Sequence, residues 1–402
     1  MIHKFKVKNF YSINEEQELD FTSNKQYSES SSEFDDIFVN NVNCFVGANA
    51  SGKTNIFKAL SFLIWFAEKS YYEVDENFNE SFTPHKLNNN KPTSFEIIFD
   101  SDKKLYKYSV NMTKEKLLYE CLEIKSTKGF SYLYKLKNTE NEIQIKYNRN
   151  NKHLPPINEN DEKRFKSKEK ISFLSFLLGL RYLNNIKLTG IVPMLYSNVS
   201  RPWSKNVDSD YDAIILSKAL NNKAILKDGI LPYLKCFDLG ISDFSEDELF
   251  KVKDYNGEYV NLLGFKHSNS DKSFIVSAVE ESSGTIKAVF LLVILLAVLS
   301  DGGAAIVDEL DTKLHYDIAR KLISLFSNKD TNKKNAQLFF STHQPLFLND
   351  RDKTQIFLCY KEDCLNTEIY RLDDIQGIRN TENFFEKYLA GEYGAAPRIG
   401  KC

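Results

Sequence analysis

Hydrophobic and polar positions change period several times along this chain, and each change predicts a different element. Residues 2 to 10, "IHKFKVKNF", alternate apolar with charged positions, the period-two pattern of a strand with one buried face. A second short strand is expected over 18–21, followed by a Ser- and Asp-rich loop over 27–36. "NVNCFV" then runs into apolar residues, a glycine-containing loop follows, and positions 54 to 69 are apolar on nearly every helical face. That combination predicts a strand, a loop and a helix buried all round.

From 95 to about 147 the alternation returns, as in "SFEIIFDSDKKLYKYSV", with charged and turn-forming breaks that predict an antiparallel meander. The segment 149–170 is polar and holds Pro155 and Pro156, so an exposed connector is expected there. Helices are expected over 171–183 and 211–234, then a strand at "EYVNLLGFKH". From 277 to the mid-350s the pattern reads loop, buried helix, strand, helix, strand, with apolar cores "AAIV" and "QLFF". Short strands and a small helix complete the chain, and no internal repeat is visible.

Composition adds limits. With 402 residues, 42% of them hydrophobic and 27% charged, the chain has the make-up of a soluble globular protein. A formal net charge of -2 gives no global attraction to nucleic acid or to an anionic membrane, which argues against a DNA-coating protein. Nucleic acid as a partner would need a local patch. Lys163, Arg164, Lys166, Lys168 and Lys170 are the candidate, with a solvated basic stretch as the simpler reading. Cys44, Cys121, Cys236, Cys359, Cys364 and Cys402 are scattered without metal-ligand spacing, which predicts a reduced, cytoplasmic chain with no zinc site. The N-terminus reads as a strand rather than a signal peptide. The apolar run 288–299 spans about a dozen residues where a bilayer needs about 20, so a buried helix and no membrane are expected.

Candidate chemistry centres on Gly47-Ala48-Asn49-Ala50-Ser51-Gly52-Lys53-Thr54, which satisfies the phosphate-loop pattern in the required strand–loop–helix context. Glycines let the backbone wrap a polyphosphate, amides and the helix N-terminus point at its oxygens, Lys53 reaches the β and γ phosphates, and Thr54 offers a hydroxyl to Mg²⁺. Far downstream, the apolar strand Ala304–Val307 ends in Asp308-Glu309. A carboxylate at such a strand end can serve Mg²⁺, and its neighbour can polarise an attacking water; Asp308 is the expected metal partner and Glu309 the general base. "ESSGT", Glu281 to Thr285, opens the apolar helix, where hydroxyls and unpaired amides suit a γ-phosphate but equally cap a core helix. His343 follows another buried strand in "LFFSTHQPLFL", a position from which a ring nitrogen can meet a γ-phosphate and its water.

In order and approximate spacing these parts resemble the ATP-binding cassette superfamily, and within it the SMC/RecF-like and OLD-like branch. The opening "KFKVKNFYSINEEQELDF" resembles that branch's first hairpin, "GANASGKTN" its phosphate loop, and "DELDTKLH" its acidic strand end, with Leu314-His315 where many relatives carry Leu-Asp. "FFEKYLAGEYGAAPRI" is similar to the C-terminal segment of RloA-like and PARIS-type ATPase subunits of bacterial anti-phage systems. The resemblance implies an α/β fold: a P-loop NTPase head of ABC/SMC-like type, a mixed sheet with an antiparallel β-subdomain and an inserted, mainly helical region. The head's halves would be 1–125 and 265–402, with the insertion at 126–264.

It also implies a head-to-head dimer with ATP between the phosphate loop of one copy and the Ser-Ser-Gly-Thr turn of the other. Carried over by position, Gly47, Asn49, Ser51, Gly52, Lys53, Thr54 and Asn55 bind phosphates, and Thr54 and Asp308 serve Mg²⁺. Lys53, Glu309 and His343 carry catalysis, while Ser282, Ser283, Gly284 and Thr285 act in trans. Tyr11 stands where many SMC-like heads have Arg, to stack on adenine or simply to pack, and no glutamine stands out as a Q-loop. OLD nucleases continue into a metal-binding toprim domain; fewer than about 60 residues follow His343, so a nuclease would be a separate protein. The leading expectation is an ATPase subunit that controls such an effector in a homo-oligomer. A DNA-gripping repair ATPase and a transporter ATPase are the alternatives.

Overall fold

The N-terminal alternation folds as a hairpin: β1 (Ile2–Lys8) pairs antiparallel with β2 (Gln17–Asp20), Phe5 opposite Leu19 and Lys6 opposite Glu18. Phe5 and Leu19 are buried, while Lys6 meets Glu18 at 2.9 Å on the outer face. The computed structural model describes residues 1–24, 30–139, 142–148, 150, 153–168, 170–183, 194–196, 209–220, 224–253, 257–362 and 365–397. The chain divides into two compact units, one of Met1–Trp203, Val298–Glu309 and Phe326–Cys402, the other of Ser204–Ala297 and Leu310–Leu325.

In the first unit, β3 (Thr22–Ser23), β4 (Ser31–Phe34) and β5 (Ile37–Asn40) make a small antiparallel sheet where a loop was expected; 25–29 lie outside the described residues. The buried β6 (Val42–Val46) leads through the glycine loop into α1 (Lys53–Ser81). Apart from the half-buried Trp65, the apolar residues of α1 from Ile56 to Ala67 are at most 4% exposed, because the helix is covered on two sides. Phe57 meets Phe45 of β6 edge-on at 4.9 Å, and Phe62 meets Phe95 at 5.5 Å. Each such ring contributes roughly 2–3 kcal/mol of burial.

Phe95 belongs to the meander, built of β7 (Thr93–Ser101), β8 (Lys104–Met112), β9 (Leu117–Ser126), β10 (Gly129–Asn138) and β11 (Ile143–Tyr147). It joins the first hairpin in one seven-stranded antiparallel sheet, order β11-β10-β9-β8-β7-β1-β2.

Two expectations need correction here. α1 runs well past residue 69, because its polar continuation docks on a later helix: Tyr71 packs edge-on against Phe176 at 5.2 Å, and its amide donates to Ser175 Oγ at 3.0 Å. The exposed connector contains α2 (Glu159–Lys166), capped by Asn158, whose side chain accepts from the Asn160 amide. Its acids lie in the first turn and Lys163, Arg164 and Lys166 in the last, the arrangement a helix dipole favours. Lys166 also pairs with Glu162 at 2.7 Å, so Lys163, Arg164 and Lys166 of the basic cluster belong to a charge-balanced helix, while Lys168 and Lys170 lie beyond its end. Phe165 is buried against Phe173 of α3 (Phe173–Gly179) at 4.7 Å, which explains why a segment so polar is ordered as a helix. α3 is shorter than the helix expected over 171–183. β12 (Met194–Tyr196) follows.

The second unit holds α4 (Ser209–Leu220) and α5 (Ala224–Cys236), two helices where one was expected, with 221–223 outside the described residues. The expected strand is β14 (Tyr259–Ser268), the centre of an antiparallel sheet between β13 (Ile241–Lys253) and β15 (Ser273–Ser277). The region 126–264 therefore contains substantial strand as well as helix, since the exposed Asp243, Lys251 and Lys253 break up the apolar pattern of β13. α6 (Ser283–Asp301) extends the expected apolar run; among the described residues it alone is long and apolar enough to cross a membrane, and 67% of its apolar stretch is buried.

The chain then adds β16 (Ala304–Val307), α7 (Tyr316–Ser327), β17 (Gln337–Thr342), β18 (Ile356–Glu362), β19 (Asn366–Arg371) and α8 (Phe384–Leu389). A six-stranded sheet forms in the order β12-β16-β17-β6-β18-β19, parallel throughout except for the antiparallel edge strand β19. Buried on both faces, β6, β16 and β17 read as largely apolar runs rather than alternating ones. Residues 398–402, including Arg398 and Ile399 of the expected C-terminal similarity, lie outside the described residues.

Candidate nucleotide site

β17 lies between β6 and β16, and the parallel register sets Val46 opposite Thr342 and Val307 opposite Phe340. The carboxyl ends of three strands thus finish side by side, where open α/β sheets place ligands. β6 delivers the glycine loop, β16 delivers Asp308 and Glu309, and β17 delivers Ser341, Thr342 and His343.

Within the loop Ser51 N donates to Ala48 O at 3.2 Å, and Asn55 N returns to Gly52 O at 2.9 Å to start α1. Gly52 has φ +107°, and a Cβ there would sit 2.1 Å from Thr367 Oγ1. A Cβ on Gly47 would sit 2.1 Å from the backbone carbonyl of Cys359. Both glycines are thus demanded by the close approach of β18 and β19 to the loop's outer side, in addition to any phosphate. Burial pushes the Cys359 thiol up to about 12, which leaves it inert beside the loop.

The Lys53 side chain is buried, and its Nζ donates to Gly47 O at 2.9 Å and Ala48 O at 3.0 Å, so the ammonium lies inside the loop's own curve. Thr54 Oγ1 donates to Asp308 Oδ2 at 2.7 Å. Ser341 Oγ donates to Asp308 Oδ1 and accepts from Glu309 N at 2.7 Å. One hydroxyl therefore orients both carboxylate residues. Glu309 itself adopts φ +49°, and its Oε1 lies 3.4 Å from His343 Nε2. Unlike Asp308, which is 2% exposed, Glu309 and His343 keep about a third of their side-chain surface open, 31% and 37%.

The donor set suits Mg²⁺. That ion takes oxygen ligands, retains several waters and commonly uses one or two protein carboxylates together with phosphates; Thr54 and Asp308 supply one hydroxyl and one carboxylate already in contact. Among the described residues no group of three or more His, Cys, Asp or Glu could hold a metal alone. Ser51 Oγ is buried without a hydrogen-bond partner among the described residues, a polar atom left over in the cradle.

Other expected residues divide. Asn49 is exposed at the loop tip. The amide nitrogen of Asn55 is committed to Ser12 Oγ at 2.6 Å. Tyr11 packs edge-on against Phe10 at 4.9 Å and carries the Lys58 ammonium over its ring at 4.7 Å, which favours packing over adenine stacking at that face. In the second unit, Ser282 caps α6 by accepting from Thr285 N at 3.1 Å, and its hydroxyl meets that of Thr285 at 2.7 Å. Glu281 steadies this turn, accepting from Ser282 N at 2.9 Å and pairing with His267 at 2.8 Å.

Sequence reasoning missed Ser341, although its place directly before Thr342-His343 was visible, and Lys58. Lys58 lies one helical turn beyond Thr54, on the same face; burial lowers its pKa, and the Asp308 charge pulls it back up.

The sequence matches the family model described as "AAA domain, putative AbiEii toxin, Type IV TA system" over residues 42–349, a span running from the first residue of β6 past His343. The chain belongs to this family. Membership in the AbiEii-type AAA family, with the loop and strand ends just described, makes it a P-loop ATPase in fold and motif. Among solved structures, the SMC head domain from Thermotoga maritima is similar at 13% identity with a TM-score of 0.41, covering 92% of this chain and 98% of that one. No curated protein matches the sequence.

Proposed function

We propose that this chain binds and hydrolyses ATP in a head-to-head dimer, and that the cycle holds or releases a separate effector, a nuclease in the simplest form, in bacterial anti-phage defence. The observation that carries the reading is the Thr54–Asp308–Ser341–Glu309 cluster at the end of three parallel strands, facing the phosphate loop. Mg²⁺ bound with the nucleotide would be held by Thr54 and Asp308 and would supply charge neutralisation to the phosphates. Lys53 exchanges the carbonyls of Gly47 and Ala48 for phosphate oxygens, and Glu309 accepts the proton of the attacking water with His343 beside it. Ser282, Ser283, Gly284 and Thr285 close the site from the second copy. The family's description as a toxin of a Type IV toxin–antitoxin system and the sequence resemblance to RloA-like and PARIS-type subunits support a defence role in the cytosol with a protein partner.

The test is phosphate release by the purified chain, together with its mass by light scattering with and without ATP and Mg²⁺. Turnover that is lost in Glu309→Gln while an ATP-dependent dimer accumulates is the expected result. A wild-type chain that neither turns over ATP nor changes mass would overturn the proposal.

A further inference from the structure

Thr367 lies 316 positions beyond Ser51 and 355 beyond Ser12, yet its hydroxyl touches both. Thr367 Oγ1 donates to Ser51 O at 3.1 Å, and Ser12 Oγ lies 2.7 Å from Thr367 Oγ1. Ser12 Oγ in turn accepts from Asn55 Nδ2 at 2.6 Å, and Ser12 O accepts from Thr367 N at 2.8 Å. A hydroxyl has one hydrogen to give. Because Thr367 gives its hydrogen to Ser51 O, Ser12 must donate to Thr367, and Asn55 donates to Ser12. The proton order is fixed: Asn55 amide, Ser12 hydroxyl, Thr367 hydroxyl, Ser51 carbonyl. This chain leaves the first turn of α1 and returns to the phosphate loop, closing a ring through the first hairpin and β19.

We infer that Thr367 and Ser12 are positioning residues that hold the phosphate loop in its nucleotide-receiving shape. The Ser51–Gly52 peptide is planar and trans, so holding its carbonyl toward Thr367 turns the Gly52 N–H the opposite way, away from β19. Gly52 permits this because a side chain there would collide with Thr367. Thr367 is 1% exposed and Ser51 3%, so loss of the hydroxyl would leave a buried carbonyl without its donor, a cost near that of a full hydrogen bond. The inference rests on the ATP-binding reading for its purpose, but the latch itself can be measured without nucleotide.

The experiment is amide hydrogen exchange over residues 47–56 of the nucleotide-free, full-length protein, paired with equilibrium binding of a fluorescent ATP analogue. Thr367→Val, which keeps the shape and removes the hydroxyl, is expected to raise exchange in the loop about tenfold and to weaken nucleotide binding by about ten- to a hundredfold. Thr367→Ser, which keeps the hydroxyl, should restore both to within about threefold of wild type. Ser12→Ala breaks the ring at its other link and should reproduce the exchange increase, which covers the case of a Val variant that fails to fold. Unchanged loop exchange in Ser12→Ala or Thr367→Val, or equal loss in the Val and Ser variants, overturns the latch. Failure of the wild-type protein to bind any nucleotide counts against the ATPase reading instead, and the exchange result still decides the latch.

Discussion

Thr54 and Asp308, 254 positions apart, meet through one hydrogen bond of 2.7 Å from Oγ1 to Oδ2. Two oxygens so placed form a ready-made edge for a hard cation. Thr54→Ala or Asp308→Asn is therefore expected to raise the Mg²⁺ concentration needed for half-maximal ATP turnover by about tenfold or more, as losses in metal sites usually do. A Mg²⁺ titration at saturating ATP reads the shift directly, and an unchanged midpoint in both variants would remove these residues from the metal site.

Glu309 and His343 lie 3.4 Å apart at the open rim. Replacing the carboxylate with the isosteric amide would remove the proposed general base while keeping its shape, so Glu309→Gln should cut turnover by about 10²–10⁴ while nucleotide affinity stays within a few-fold. Single-turnover phosphate release and equilibrium binding separate the two effects. Weakened binding with unchanged turnover would assign Glu309 to recognition instead.

Glu120 on β9 is a buried carboxylate with five donors. Its Oε1 accepts from Tyr108, Tyr134, Ser172 and the Leu174 amide, and its Oε2 accepts from the Phe173 amide at 2.8 Å. Burial raises its pKa, and these hydrogen bonds oppose the rise. Glu120→Ala would orphan the donors that tie α3 to the sheet, each at a cost of about 1–3 kcal/mol, and is expected to be strongly destabilising. Glu120→Gln keeps one acceptor and should cost less. Denaturant unfolding at neutral pH checks the order of the two variants.

Glu68, in the middle of α1, has a buried Oε1 without a partner among the described residues, and burial pushes its pKa up to about 8. The folded state therefore prefers the protonated acid. Its contribution to stability is fully present below the unfolded pKa of 4.5 and is lost as pH rises toward 8, because only the unfolded chain ionises freely in that window. The slope is at most about 1.4 kcal/mol per pH unit. Glu68→Gln should flatten the stability profile between those limits and stabilise the protein at pH 8. Parallel pH profiles for the two proteins would refute this.

The sequence by itself determined the strand–loop–helix carrying Lys53 and Thr54, the acidic end of β16, the strand before His343 and the meander, because each is a local pattern of period, glycine and charge. It also identified α1 as buried all round, from the apolar residues on every face. Only the tertiary structure decided that α1 continues past Lys69, since Phe176 and Ser175, more than a hundred positions later, hold Tyr71. α2 had signals of its own, an Asn cap and ordered charges, that two prolines and a polar composition obscured. Ser12 and Thr367 carry no pattern at all; a lone hydroxyl acquires meaning only from the atoms it touches. Those contacts follow from strand order and register, which place β17 between β6 and β16 and bring β19 against the loop. Local propensity cannot encode a pairing between segments hundreds of residues apart, whereas burial of both faces of the parallel sheet can select it.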